Sequence, residues 1–256
     1  GKQGRRVHEF LLDNLPRPPK VAIVEAPAGF QPNVDHVTGK LRAFFEHNLQ
    51  NYRPVVKPVL ARSRGGPYDA DDPETVRPLY AADLIVAGPG SPTYAARVLA
   101  GSRTLRVIEA RLVEGVTISL ASAAAIAFGR YALPVYEIFK AGDDLHWAAG
   151  LDLFATVGLN LTVIPHWNNR EGGSDLDTSR CYMGTERFER LLAILPGPTT
   201  ILGIDEHTAC VIDSDGGTAS VHGAGTVCIL RDGHERTFAS GERFALDLLL
   251  RRDPVQ

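Results

Sequence analysis

The chain has 256 residues, 44% of them hydrophobic and 22% charged, with a formal net charge of −3. A chain of this length buries a full core without disulfide or metal staples. The slightly negative balance excludes a general attraction to nucleic acid or an anionic membrane, and no run approaches the roughly 20 apolar residues of a membrane span.

Residues 1–19 read as an amphipathic extension ending in a proline-rich connector. "KVAIVEA", residues 20–26, is a short apolar run bounded by proline and reads as a buried strand. Asn33 is expected to cap a helix in which Val37, Leu41, Phe44 and Leu49 recur at helical spacing. "RPVVKPVLA" (53–61) is a second strand, which its prolines push to an edge. A short helix over 74–82 leads to a strand at 84–87, which runs into "GPGSP". Helices around 94–99 and 105–114 precede the strand "VTISL" (116–120).

"LNLTVIPHW" (159–167) is a fifth strand, ending at His166, and a long polar loop covers 168–184. The next helix carries Phe188, Leu191, Leu192 and Leu195 on one face. "TTILGIDEHTACVID" supplies two short strands around Glu206, "DSDGGT" and "RDGH" are hairpin turns, and a short helix ends the fold. Strands alternate with helices over the first two thirds. The expected class is therefore α/β, a three-layer sandwich with a mainly parallel sheet, helices on both faces and antiparallel hairpins near the C-terminus. Residues 20–250 are read as one domain and 251–256 as a tail. The chain begins Gly-Lys and its one methionine is Met183. The expectation is a piece of a longer protein, with room for a further domain.

In open parallel sheets, sites gather at the carboxyl ends of strands. Four such ends carry unusual residues: "GPGSP", "LASAAA", "IPHW" and "IDEHT". A serine needs an adjacent base to attack at neutral pH, and the base needs a carboxylate to fix its tautomer. Ser122, His166 and Glu206 are the right types, each just beyond an apolar strand. The N–H of Ala123, opening the helix after Ser122, would face a developing oxyanion, with a second donor from Gly90 or Ser91. Taken singly, each piece has a plainer explanation as packing, capping or turn. "GPGSP" as a phosphate loop lacks the Lys-[Ser/Thr] ending. The eight histidines include no HExxH, and no Cys/His pair has zinc spacing. Cys181, Cys210 and Cys228 show no CxxC and read as reduced thiols of a cytoplasmic protein, with Cys210 and Cys228 in the core and Cys181 in an exposed loop.

At this conjunction the chain resembles a known family. "LIVAGPGSPTYAARVL", "ISLASAAAIAFG", "GLNLTVIPHWNNR", "RFERLL" and "LGIDEHTACVI" look like successive blocks of the cyanophycinase and aspartyl dipeptidase family, serine peptidases on a fold similar to class I glutamine amidotransferases. The resemblance runs from about residue 20 to about residue 230. It implies a Ser-His-Glu triad at Ser122, His166 and Glu206. A strand-end His, aromatic and Arg match His166, Trp167 and Arg170, and the Gly-Ile-Asp-Glu block matches residues 203–206. The family's Gly-x-Ser-Ala-Gly elbow is altered, because Leu120 and Ala124 replace both glycines. The loop 171–184 is longer and more acidic than the family's basic stretch.

The reading is a serine peptidase-like hydrolase acting on a small peptide or amide. Trp167, Asn168, Asn169 and Arg170 are expected to line the substrate pocket. No metal, cofactor, nucleic acid or membrane partner is expected, and a homodimer is allowed. The alternative is a binding or regulatory domain on the same fold whose elbow has lost its catalytic function.

Overall fold

The computed structural model describes residues 2–250; the expected tail, 251–256, lies outside the described residues. The chain divides into two compact units, the first spanning His8–Ala124 and the second made of the rest.

Helix α1 (Lys2–Asp13) opens the chain. The first unit then runs β1 (Lys20–Val24), α2 (Val34–Ala43), β2 (Val55–Val59), α3 (Pro73–Val76), β3 (Leu84–Ala87), α4 (Pro92–Leu99), α5 (Arg103–Val113) and β4 (Thr117–Leu120). Its sheet has the order β2-β1-β3-β4, and every pair is parallel. Val21, Ala22, Ile23 and Val24 are all buried. A central parallel strand is covered on both faces, so it reads as a continuous apolar run rather than an alternation. Pro58 lies on β2, which among the described residues has β1 as its one neighbour. A residue that cannot donate to the ladder is tolerated there, as its sequence predicts.

Helix starts in this unit follow from their caps. Asp72, Ser91 and Ser102 accept from the N–H groups of Glu74, Tyr94 and Leu105 at 2.8, 3.1 and 3.1 Å. Each such bond is worth about 1 kcal/mol. Asn33 precedes α2 but makes no cap bond, because its backbone (φ −103°, ψ 22°) is not in the extended conformation that capping needs. Leu12, Ile23, Phe45, Leu49 and Leu84 form the fully buried centre, with Leu41 and Phe44 packed at its margin.

Helix α6 (Ala123–Ala127) leads into the second unit. There follow β5 (Tyr131–Ala132), β6 (Ala148–Ala149), β7 (Leu161–Ile164), α7 (Gly184–Ala193), β8 (Thr200–Ile204), β9 (Thr208–Asp213), β10 (Thr218–Gly223), β11 (Thr226–Arg231), β12 (His234–Ala239) and β13 (Arg243–Ala245). Strands β7 and β8 are parallel within the sheet β12-β11-β8-β7, whose other pairs are antiparallel. A second, antiparallel sheet has the order β13-β10-β9. "DSDGGT" joins β9 to β10 and "RDGH" joins β11 to β12 as hairpin turns. The expected final helix is a single 3-10 turn, Leu246–Leu248. The short pair β5 and β6 carries no sequence signal of its own.

The class is α/β, with a parallel sheet flanked by helices and antiparallel strands towards the C-terminus. Among the described residues no helix is long and apolar enough to cross a membrane.

Candidate active site

The candidate residues fall into two groups, one in each unit. In the first unit, β3 ends at Ala87 and the chain turns through Gly88–Pro92. Gly90 has φ 148°, and a Cβ there would lie 1.8 Å from the Pro27 carbonyl oxygen. Only glycine permits that approach. Ser91 donates its N–H to the same carbonyl at 2.8 Å and accepts the Tyr94 N–H on its hydroxyl. Its N–H is therefore already engaged, which corrects the expectation that it serves an oxyanion and leaves Gly90 as the candidate in this turn.

The neighbouring strand β4 ends at Leu120, and the Ala121 N–H continues the ladder to the Ala87 carbonyl at 3.0 Å. Ser122 then adopts φ 52°, and α6 begins at the next residue. A left-handed conformation costs a serine roughly 1–2 kcal/mol. It persists because the surroundings fix it: the Ala124 N–H bonds the Gly88 carbonyl at 3.2 Å and the Ala121 carbonyl at 3.1 Å. Ala123 and Ala124 are 2% and 0% exposed. The positive φ falls on Ser122, not on Leu120 or Ala124. The two missing glycines are therefore not needed for backbone conformation in this chain.

In the second unit, β7 ends at Ile164 and His166 follows with φ 53°. Its Nδ1 lies 3.1 Å from Glu206 Oε1. An ionised carboxylate only accepts, so Nδ1 carries the proton and Nε2 of the neutral ring is the basic nitrogen. The same Glu206 oxygen accepts from Asn169 Nδ2 at 2.8 Å, and the Glu206 N–H donates to Asn168 Oδ1 at 2.8 Å. The Asn169 hydrogen bond, with the His166 ring next, holds the Glu206 carboxyl below the usual range against the opposing effect of burial. His207, next to Glu206 in the chain, is exposed; it is His166 that bonds the carboxylate.

The frame around His166 is strained. Arg180, Cys181 and Tyr182 have consecutive φ values of 54°, 58° and 69°. Their turn is pinned to the strand end: Arg180 N–H bonds the Trp167 carbonyl at 2.9 Å and Cys181 N–H bonds the His166 carbonyl at 3.1 Å. The Tyr182 ring lies tilted against His166, 6.2 Å between centroids, and its hydroxyl donates to Glu171. Arg180 stacks on Trp167 at 3.8 Å. Gly203 on β8 permits the close packing, since a Cβ there would lie 2.5 Å from the Trp167 ring.

Several expectations are corrected. Trp167 is 5% exposed and part of the core, edge-on to Phe188. Asn169 is 1% exposed and turned to Glu206. Both are buried and build the frame of the His–Glu pair. Asn168 is exposed, with its amide oxygen on the Glu206 backbone, while Arg170 is exposed and its guanidinium bonds no group among the described residues. Cys181, expected at the surface, is 2% exposed because the left-handed turn folds it inward. Cys210 is half-buried rather than a core residue. The turn at Arg180–Tyr182 escaped the sequence reading, since nothing in "RCYMG" marks three non-glycine residues as left-handed.

No family model and no curated protein sequence matches this chain. Solved structures do. A peptidase from an acI-B1 Actinobacterium is 21% identical, with a TM-score of 0.73 over 94% of this chain and 90% of the other. A Peptidase E-like protein from Listeria monocytogenes EGD-e is 14% identical, with a TM-score of 0.51 over 92% of each chain. At these identities the likeness establishes the architecture: this chain is folded as solved peptidases are.

Proposed function

We propose that the chain is a serine hydrolase of the cyanophycinase and aspartyl dipeptidase type, acting on a small peptide or amide. In this reading Ser122 attacks the carbonyl carbon. His166 Nε2 takes the serine proton and returns it to the leaving amine. Glu206 holds the imidazole in the Nδ1–H tautomer and stabilises the imidazolium. The N–H groups of Ala123 and Gly90 receive the oxyanion. Arg170 contacts the substrate. No step calls on a metal or an organic cofactor. The three free thiols accord with a cytoplasmic setting.

The observation that carries this reading is the φ of 52° at Ser122, between a parallel strand and a helix. A nucleophile elbow uses such a strained turn between strand and helix to lift a hydroxyl out of the sheet. Support comes from the 3.1 Å His166–Glu206 contact and from the likeness to solved peptidases.

The test is a fluorophosphonate probe with the adduct mapped by peptide sequencing. We expect labelling at Ser122, none in Ser122→Ala, and a rate about 100-fold lower or less in His166→Ala, the scale of general-base assistance. Folded protein that takes no label at Ser122 overturns the hydrolase reading and leaves a binding domain on a peptidase fold.

A further inference from the structure

We propose, resting on the hydrolase reading above, that Asn169 is a positioning residue that holds the Glu206 carboxylate on His166. The argument begins with burial. Asn169 is 1% exposed, and an amide removed from water must find partners for both its ends. Its Nδ2 donates to Glu206 Oε1 at 2.8 Å, the oxygen that also meets His166 Nδ1 at 3.1 Å. Its Oδ1 accepts the Glu171 N–H at 3.1 Å, and its own N–H donates to the His166 carbonyl at 3.2 Å. One residue is thus bonded to both members of the pair, to the backbone of one and the side chain of the other.

The residue type matters. A lysine or arginine here would neutralise the carboxylate and compete with the imidazolium for its charge. An asparagine orients the carboxylate and leaves its charge for His166. Asn168 completes the hold by accepting the Glu206 N–H, so backbone and side chain of Glu206 are fixed by adjacent amides. The other titratable groups facing Glu206 are His207, Cys181 and Tyr182. None of them donates a hydrogen bond to its carboxylate. The Asn169 bond is also the largest cause of the lowered Glu206 pKa.

A purely structural role would rest on the Oδ1 contact to Glu171, and this separates the two roles experimentally. Asn169→Asp keeps the size and that acceptor but replaces the donor to Glu206 with a like charge. Two facing carboxylates retain a shared proton well above the ordinary range. We expect Asn169→Asp to melt below wild type at about pH 8 and to recover towards about pH 5.5, since a carboxyl whose folded pKa is raised loses stability as pH rises through that value; labelling is therefore compared below each variant's melting temperature. We expect its Ser122 labelling by a fluorophosphonate to be about tenfold slower than wild type at about pH 8, with the deficit closing towards about pH 5.5 as the shared proton restores a donor. A variant that labels at the wild-type rate throughout, or whose deficit does not change with pH, overturns the proposal. A second readout needs no activity. Carboxyl NMR should show the Glu206 titration moved up in Asn169→Leu, and a titration left in place overturns the proposal equally. If wild-type Ser122 takes no label, the hydrolase reading fails, while the Glu206 titration still decides whether Asn169 holds the carboxylate.

Discussion

Ser122 shows how one backbone angle carries a functional reading. "LASAAA" looks like a run of small residues packed at a strand end, and nothing in it announces a left-handed serine. The sequence does show that the elbow glycines are absent, which raises the question of strain at Leu120 and Ala124. Neither residue has a positive φ; the strain sits on the serine itself, φ 52°. If the conformation is held against its intrinsic preference, removing Cβ at that position should relieve it. We expect Ser122→Gly to be more stable to denaturant than Ser122→Ala by about 1 kcal/mol, after the entropy that glycine loses on folding is set against the relieved strain. Equal stability, or a less stable glycine variant, would show that residue 122 does not hold this angle in solution. The same experiment bears on function, because strain retained at a nucleophile trades stability for activity.

Among the elements, those whose signal is local were legible. The apolar run of β1, the prolines of β2, the caps Asp72, Ser91 and Ser102 and the two hairpin turns each follow from a few adjacent residues. What escaped depends on distant contacts. Strands β8 and β9 are consecutive in the chain but belong to different sheets, and the switch is made at Asp205–His207. There Asp205 accepts from the N–H and hydroxyl of Thr226 at 2.8 Å each. The segment between β7 and α7 is a built element rather than the loose polar loop its composition suggests. Asp177 anchors it, accepting from Ser179 N–H at 2.9 Å and from the N–H and hydroxyl of Thr185 at 2.8 and 3.0 Å. The Ser179 side chain first, then the Thr185 and Ser179 N–H groups, hold its carboxyl far below the usual range. A carboxylate with a depressed folded pKa stabilises the fold above its unfolded pKa, and the contribution is lost as pH falls through the folded value. We therefore expect hydrogen exchange at the Arg180 and Cys181 N–H groups to stay protected across the ordinary carboxylate range and to quicken only below it. In Asp177→Ala exchange should be fast at neutral pH. Unchanged protection in that variant would mean that the left-handed turn stands without its anchor.

At the scale of the whole molecule, composition anticipated an α/β chain able to bury its core without staples, but not where the chain divides. The division falls inside α6, between Ala124 and Ala125, two residues after Ser122. The proposed nucleophile thus belongs to the first unit, and His166 and Glu206 to the second. Reading residues 20–250 as one domain has a measurable consequence, because the spectroscopic probes are unevenly placed. Both tryptophans, Trp147 and Trp167, and all three cysteines lie in the second unit, whereas helices α2, α4 and α5 lie in the first. Burial pushes the thiols of Cys181, Cys210 and Cys228 up to about 12, so in the folded protein they are poor nucleophiles. Tryptophan fluorescence and alkylation of Cys181 and Cys228 therefore follow the opening of the second unit, while far-ultraviolet circular dichroism follows both. If 20–250 unfolds as one cooperative block, all three signals will share a single midpoint in denaturant. A dichroism curve that splits, with one phase apart from the tryptophan and thiol transitions, would resolve two independently unfolding units.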